Sequence, residues 1–166
     1  MAETLRPSFE EVCFGSRVPA ELLPALREND FFYGVRSSLI DNCAGAFRIA
    51  RLPGAAMLYS RKSASTRVFL ILCGEVQLGY SNVGVRHAGE TLPSGRFTGE
   101  VSLMPGPQPR HQVTATCVGP TLLCWARAVD ITALLGSAPQ IAINVAHSLH
   151  ARVADALTAI DELAIG

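Results

Sequence analysis

The chain has 166 residues, with 14 Lys+Arg balanced by 14 Asp+Glu, so its formal net charge is zero. That length suits one domain, which would bury roughly 68–70% of the unfolded chain's surface. The charge balance excludes a basic nucleic-acid tail, because Lys62 is the only lysine and the arginines are scattered without a run of like charge.

Hydrophobic residues at 49% against charged residues at 17% set the chain apart from disordered sequences. Its longest apolar run, Val68 to Cys73, is six residues, far short of the roughly 20 that cross a bilayer. The first residues carry Glu3 and are followed by Glu10 and Glu11, with no apolar core or cleavage site, so a cytoplasmic protein is expected. Cys13, Cys43, Cys73, Cys117 and Cys124 are odd in number, sit among apolar neighbours and form no C-x-x-C pair, which reads as free buried thiols.

After an N-terminal arm, residues 1–17, a single domain is expected over 18–166, with helices over 18–48, a barrel over 49–129 and helices again over 130–165. Pro19 suits a first helical turn, and Val18, Leu22, Leu23 and Leu26 share one face. A second helix follows Gly34, capped by Ser37 or Ser38 and carrying Val35, Leu39, Ile40, Cys43 and Phe47 to an end near Arg48. The texture then changes to short Val-, Phe-, Leu- and Thr-rich segments between glycine turns. Strands are expected at Phe47–Leu52, Ala56–Tyr59, Val68–Cys73, Glu75–Tyr80, Val83–His87, Gln112–Cys117 and Thr121–Arg127, a spacing typical of a sandwich or barrel.

From Pro139 the period is helical again. Ile141, Val145, Leu149, Val153, Leu157, Ile160 and Leu163 form one apolar stripe, with Asn144, His147, Arg152, Asp155 and Glu162 on the other face. Such a helix folds back on the barrel or pairs with its copy in a second chain over 139–163. The length of the stripe favours pairing. Trp125 and Phe31-Phe32-Tyr33 read as core, and His147 and His150 as part of a solvated helix face rather than a metal site.

The stretch richest in chemistry runs from Gly95 to Arg110. A glycine-punctuated turn leads into Glu100 and can present successive backbone N–H groups as an anion nest. A Pro/Gly loop then delivers Arg110, whose planar fork matches a phosphate, while a carboxylate accepts from a hydroxyl. Phosphate and sugar hydroxyl together describe a nucleotide.

These residues resemble the cyclic nucleotide-binding domains of the catabolite-activator and protein-kinase regulatory type. One block of the resemblance runs from Leu26 through the Pro53-Gly54 turn to Val68-Phe-Leu-Ile-Leu-Cys-Gly-Glu-Val-Gln-Leu. The second is Gly95-x-Phe-x-Gly-Glu-x-Ser-Leu-Met followed by Pro109-Arg110. The resemblance implies a mainly β fold, a jelly-roll barrel with N-terminal helices and a long C-terminal helix, binding cAMP or cGMP as a regulatory ligand without a metal. It implies that Glu100 accepts from the ribose 2′-hydroxyl, Arg110 pairs with the cyclic phosphate, and backbone N–H groups around Gly99 to Val101 complete the site. The expected ligand contacts are Phe97, Thr98, Gly99, Glu100, Val101, Ser102, Pro109, Arg110, His111 and Thr114.

The sequence departs from the pattern at His111-Gln112, where the family has smaller residues. His111 is either a second phosphate donor or a solvent-facing side chain at the barrel mouth. Thr98 stands where the family has an apolar or small residue, and Thr114 or Thr116 faces the base. The Arg61-Lys-Ser-Ala-Ser-Thr66 loop replaces an acidic one, a change expected to affect local turn geometry more than binding.

The expected function is a stand-alone, non-enzymatic sensor that signals through the last helix to a protein effector. Three residues after the stripe leave no room for a helix-turn-helix, so direct DNA binding is not expected. The alternative is a degenerate fold that dimerises or scaffolds without nucleotide, with Glu100 and Arg110 as a structural ion pair. A metal-dependent cupin enzyme would need a clustered His-x-His, whereas His87 and His111 stand alone.

Overall fold

The computed structural model describes Phe9, residues 15–82 and residues 85–165. Cys13, most of the arm 1–17, the first two residues of the strand expected at Val83–His87, and the side chains of His87 and Leu163 lie outside the described residues. Nine strands form among those described: β1 (Ser16–Arg17), β2 (Arg48–Leu52), β3 (Met57–Tyr59), β4 (Arg67–Cys73), β5 (Val76–Asn82), β6 (Val85–Leu92), β7 (Phe97–Thr98), β8 (Thr114–Cys117) and β9 (Thr121–Arg127). They make two antiparallel sheets, ordered β1-β2-β9-β4-β7 and β3-β8-β5-β6.

The helices are α1 (Leu23–Arg27), α2 (Ser37–Cys43), α3 (Ala128–Leu134) and α4 (Gln140–Ile165). The helix expected from Val18 is split: Ala20–Leu22 is a tight 3-10 turn that leads into α1. The second helix ends as an α-helix at Cys43, a 3-10 turn covers Ala44–Ala46, and extended Phe47 starts the strand that pairs Arg48 with Trp125. Neither Ser37 nor Ser38 caps α2; Arg36 holds that position with no side-chain cap bond. Arg27 grips Asp41 bidentately, tying α1 to α2.

The apolar run of β4 is explained by its two covered faces. Val68 and Leu70 enter a core with Leu26, Phe31, Phe32, Phe47, Phe97, Ile131 and Ile141. Phe69 and Ile71 point the other way, into a core drawn from both sheets with Leu58, Tyr59, Val76, Leu78, Ala115 and Leu123. Phe9 closes this second core, meeting Phe69 and Trp125 edge-on with centroids 5.1 and 5.5 Å away.

Two core assignments need correction. Tyr33 is 75% exposed while Phe31 and Phe32 are buried, because extended Tyr33 turns out of the helical layer. Cys43, Cys117 and Cys124 are buried free thiols, but Cys73 is exposed at the end of β4.

Helix α4 begins after Pro139, as its period indicates, and Ile141 and Val145 enter the first core. Asn144, assigned from sequence to the outer face, is buried. Its amide donates to the carbonyls of Phe31 at 3.0 Å and Tyr33 at 2.9 Å. Farther along, Val153, Leu157 and Ile160 are each more than half exposed.

Candidate functional site

Strand β7 delivers the Gly95–Arg110 stretch by pairing Phe97 and Thr98 with Leu70 and Phe69. Gly99 then adopts φ 83°, ψ 8°, and Glu100–Leu103 forms a 3-10 turn. No other residue fits at Gly99, since a Cβ there would lie 2.4 Å from the Arg67 carbonyl oxygen. Ser102 fixes the turn through its hydroxyl, which donates to the Gly99 carbonyl at 2.7 Å. Val101 is half-buried and Phe97 packs edge-on against Phe31 in the first core.

The turn places Glu100 in the interior, 1% exposed. Its Oε1 accepts from Arg152 of α4, while Oε2 is buried with no hydrogen-bond partner. Burial pushes the carboxyl above its ordinary range, and Arg152 pulls it back toward the ionised form. Arg152 also donates to the Phe97 carbonyl at 3.1 Å, and its Nε lies 3.6 Å from Glu90. Glu100 and Arg110 therefore do not form the structural pair considered from sequence; the partner of Glu100 comes from the terminal helix.

Arg110 follows the loop through Gly106, at φ 133°, and Gln108, at φ 44°. It is exposed, and its guanidinium donates to the Lys62 carbonyl at 2.7 Å. The 61–66 loop thus touches Arg110 directly, although it lies far from it in sequence. Lys62 N–H donates to the His111 carbonyl, Ser65 N–H to the Pro109 carbonyl, and His111 N–H to the Ser63 carbonyl. Residues 109–111 and 62–65 are zipped together by these bonds.

His111 faces inward rather than toward solvent. It is 4% exposed and stacks on Tyr59, with ring centroids 3.6 Å apart and 8° between planes. Burial pushes its imidazole down to about 4, so the ring is neutral near neutrality. The Tyr59 hydroxyl shares a hydrogen bond with the buried Thr98 hydroxyl. A cavity of about 410 Å³ opens beside this stack, walled by Phe9, Leu58, Phe69 and Arg67. On β8 the buried residues are Ala115 and Cys117. Thr114, on the alternate face, accepts from the Arg61 N–H at 3.0 Å.

Arg152 and Tyr59 are the two site residues that sequence reasoning missed. Arg152 sits on the polar face of a helix and Tyr59 at the end of a short strand, so neither carries a motif. His147 and His150 are exposed on α4. Among the described residues, no group of three or more His, Cys, Asp or Glu side chains could hold a metal ion. No described helix is long and apolar enough to cross a membrane.

The two sheets, the Gly99 turn and the long terminal helix define a fold class: that of cyclic nucleotide-binding domains. Thermus thermophilus catabolite activator protein superposes with a TM-score of 0.72 at 23% identity, covering 82% of this chain and 63% of that one. A cyclic nucleotide-binding domain from Methylobacillus flagellatus gives 0.69 at 17% identity, covering 84% and 80%. The regulatory domain of Toxoplasma gondii PKA with cAMP gives 0.61 at 16% identity, covering 69% and 43%. The chain thus spans less than two thirds of the first and third of these structures. No family model matches the sequence, and no curated protein matches it.

Proposed function

We propose that this protein is a cyclic nucleotide-binding regulatory module, with cAMP as its candidate ligand. The observation that carries the reading is Glu100: a carboxylate enclosed in the fold behind a left-handed glycine, with one oxygen unpartnered. Enclosing a charge is expensive, and an acceptor left half-used at the base of a nucleotide-type turn has its natural complement in a sugar hydroxyl. Arg110, exposed on the adjoining loop, supplies the fork for the cyclic phosphate, and the Gly99–Val101 backbone the remaining donors. Pro109 sets the approach of Arg110, and Phe97, Thr98, Ser102, His111 and Thr114 shape the surroundings. The role is binding rather than catalysis, exercised in the cytoplasm on a protein effector. The exposed Val153, Leu157 and Ile160 suit a homodimer formed through 139–163, which sedimentation of the full chain would register.

Calorimetry with 3′,5′-cyclic AMP and cyclic GMP tests the reading. Heat of binding that Arg110→Ala reduces at least about tenfold is the expected result; no heat at millimolar ligand sinks it.

A second reading, an interaction module without nucleotide, is favoured by Tyr59. Its hydroxyl is engaged by Thr98, the residue before the Gly99 turn, and His111 packs over its ring. Under that reading Arg110→Ala leaves the protein's thermal response to nucleotide unchanged, because there is none.

A further inference from the structure

Among the described side chains after Leu149, Arg152 alone is not exposed. Among the described side chains the distal half of α4 therefore has one anchor on the rest of the fold, and that anchor is bonded to the carboxylate that the proposed ligand needs. Because Glu100 is 1% exposed, nothing reaches its carboxylate while the present arrangement holds. Arg152 is also the movable partner. Arg96 lies 3.7 Å from Glu90 and 3.5 Å from Asp30, so Glu90 keeps a cation if Arg152 leaves. Glu100 does not, and it then requires another donor.

We propose that Arg152 is a built-in competitor for the nucleotide site. It occupies Glu100 when no ligand is bound, a ligand hydroxyl displaces it, and the displacement frees the distal half of α4. This rests on the nucleotide reading above and names its regulation. Ligand binding and helix release are then two readings of one exchange of donors at Glu100. By reciprocity, anything that pulls the distal helix away raises nucleotide affinity by the same factor.

The bond after Arg152 reports the latch directly. Trypsin must engage the Arg152 side chain to cut there, and cutting after exposed Arg36 serves as the internal reference. In the wild-type full chain, cAMP is expected to raise cleavage at Arg152–Val153 relative to that reference. Glu100→Gln, which keeps the shape and removes the charge, is expected to raise it without nucleotide. Calorimetry on Arg152→Gln is expected to show cAMP affinity higher by about tenfold or more, the value of a lost charge-assisted competitor.

Wild-type binding combined with equal or weaker affinity in Arg152→Gln, and no ligand-induced cut, overturns the latch and leaves the nucleotide reading standing. Absence of cAMP and cGMP binding in both proteins overturns the nucleotide reading and ligand-driven release with it. The Glu100→Gln digest then reports on the tether alone, with unchanged cleavage counting against it. If Arg152→Gln does not fold, the wild-type and Glu100→Gln digests still decide the matter.

Discussion

Residues 140–149 of α4 put Ile141 and Val145 into the helical core and hang two hydrogen bonds from buried Asn144, whereas residues 150–165 reach the barrel through Arg152. The difference is one of reversibility. Apolar burial has no alternative partner to offer in water and holds under all ordinary conditions. An ion pair can be traded for another set of donors, so its contact is conditional on what else is present. One helix thus contains a fixed segment and an exchangeable one.

Perturbing the fixed segment should give the largest effect. Ile141→Ala empties a fully buried site and is expected to lower global stability by about 2–5 kcal/mol in urea unfolding. A loss below that range would mean that the proximal half is not the anchor. Asn144→Ala comes next, leaving the Phe31 and Tyr33 carbonyls without their donor, at about 1–3 kcal/mol in the same measurement.

Titration sharpens the contrast, since apolar anchoring ignores pH and the polar site does not. His111 sits at about 4 in the fold against 6.5 for a free imidazole, so unfolded chains bind more protons between those values. The stability due to neutral His111 is complete above pH 6.5 and lost as pH falls toward about 4. The raised Glu100 carboxyl acts in the opposite sense, its contribution falling as pH rises through its elevated range. Melting curves of wild type and His111→Phe isolate the first effect: the variant should lose the acid-side decline that His111 contributes.

The smallest effect is expected at the mouth of α3, where Arg127 and Asp130 pair across an exposed turn with bonds of 2.8 and 3.0 Å. Arg127→Ala should leave the melting temperature within measurement error, as exposed pairs do.

Most of the barrel was legible because β-strands announce themselves by composition. Thr121–Arg127 appears with the expected bounds, and the six other expected strands have counterparts with shifted boundaries, the first two residues of Val83–His87 lying outside the described residues. The two-residue strands Ser16–Arg17 and Phe97–Thr98 carry no pattern of their own; their pairing partners create them. The Glu100 turn was legible because left-handed glycine and a following acid are local features. Arg152 was not, because its meaning depends on a partner in another element, brought to it by the fold. The contact of the 61–66 loop with Arg110 and His111 was not legible for the same reason, being a product of chain reversal.

The pairing of Arg48–Leu52 with Thr121–Trp125 has a consequence for how the molecule comes into being. An early strand that must wait for β9 makes the topology non-local, which slows folding and postpones closure of the sheet. During synthesis the barrel cannot be finished before β9 emerges, and α4 follows it out. The element that occupies Glu100 therefore arrives after all the described strands, and it settles on a site that they have already built.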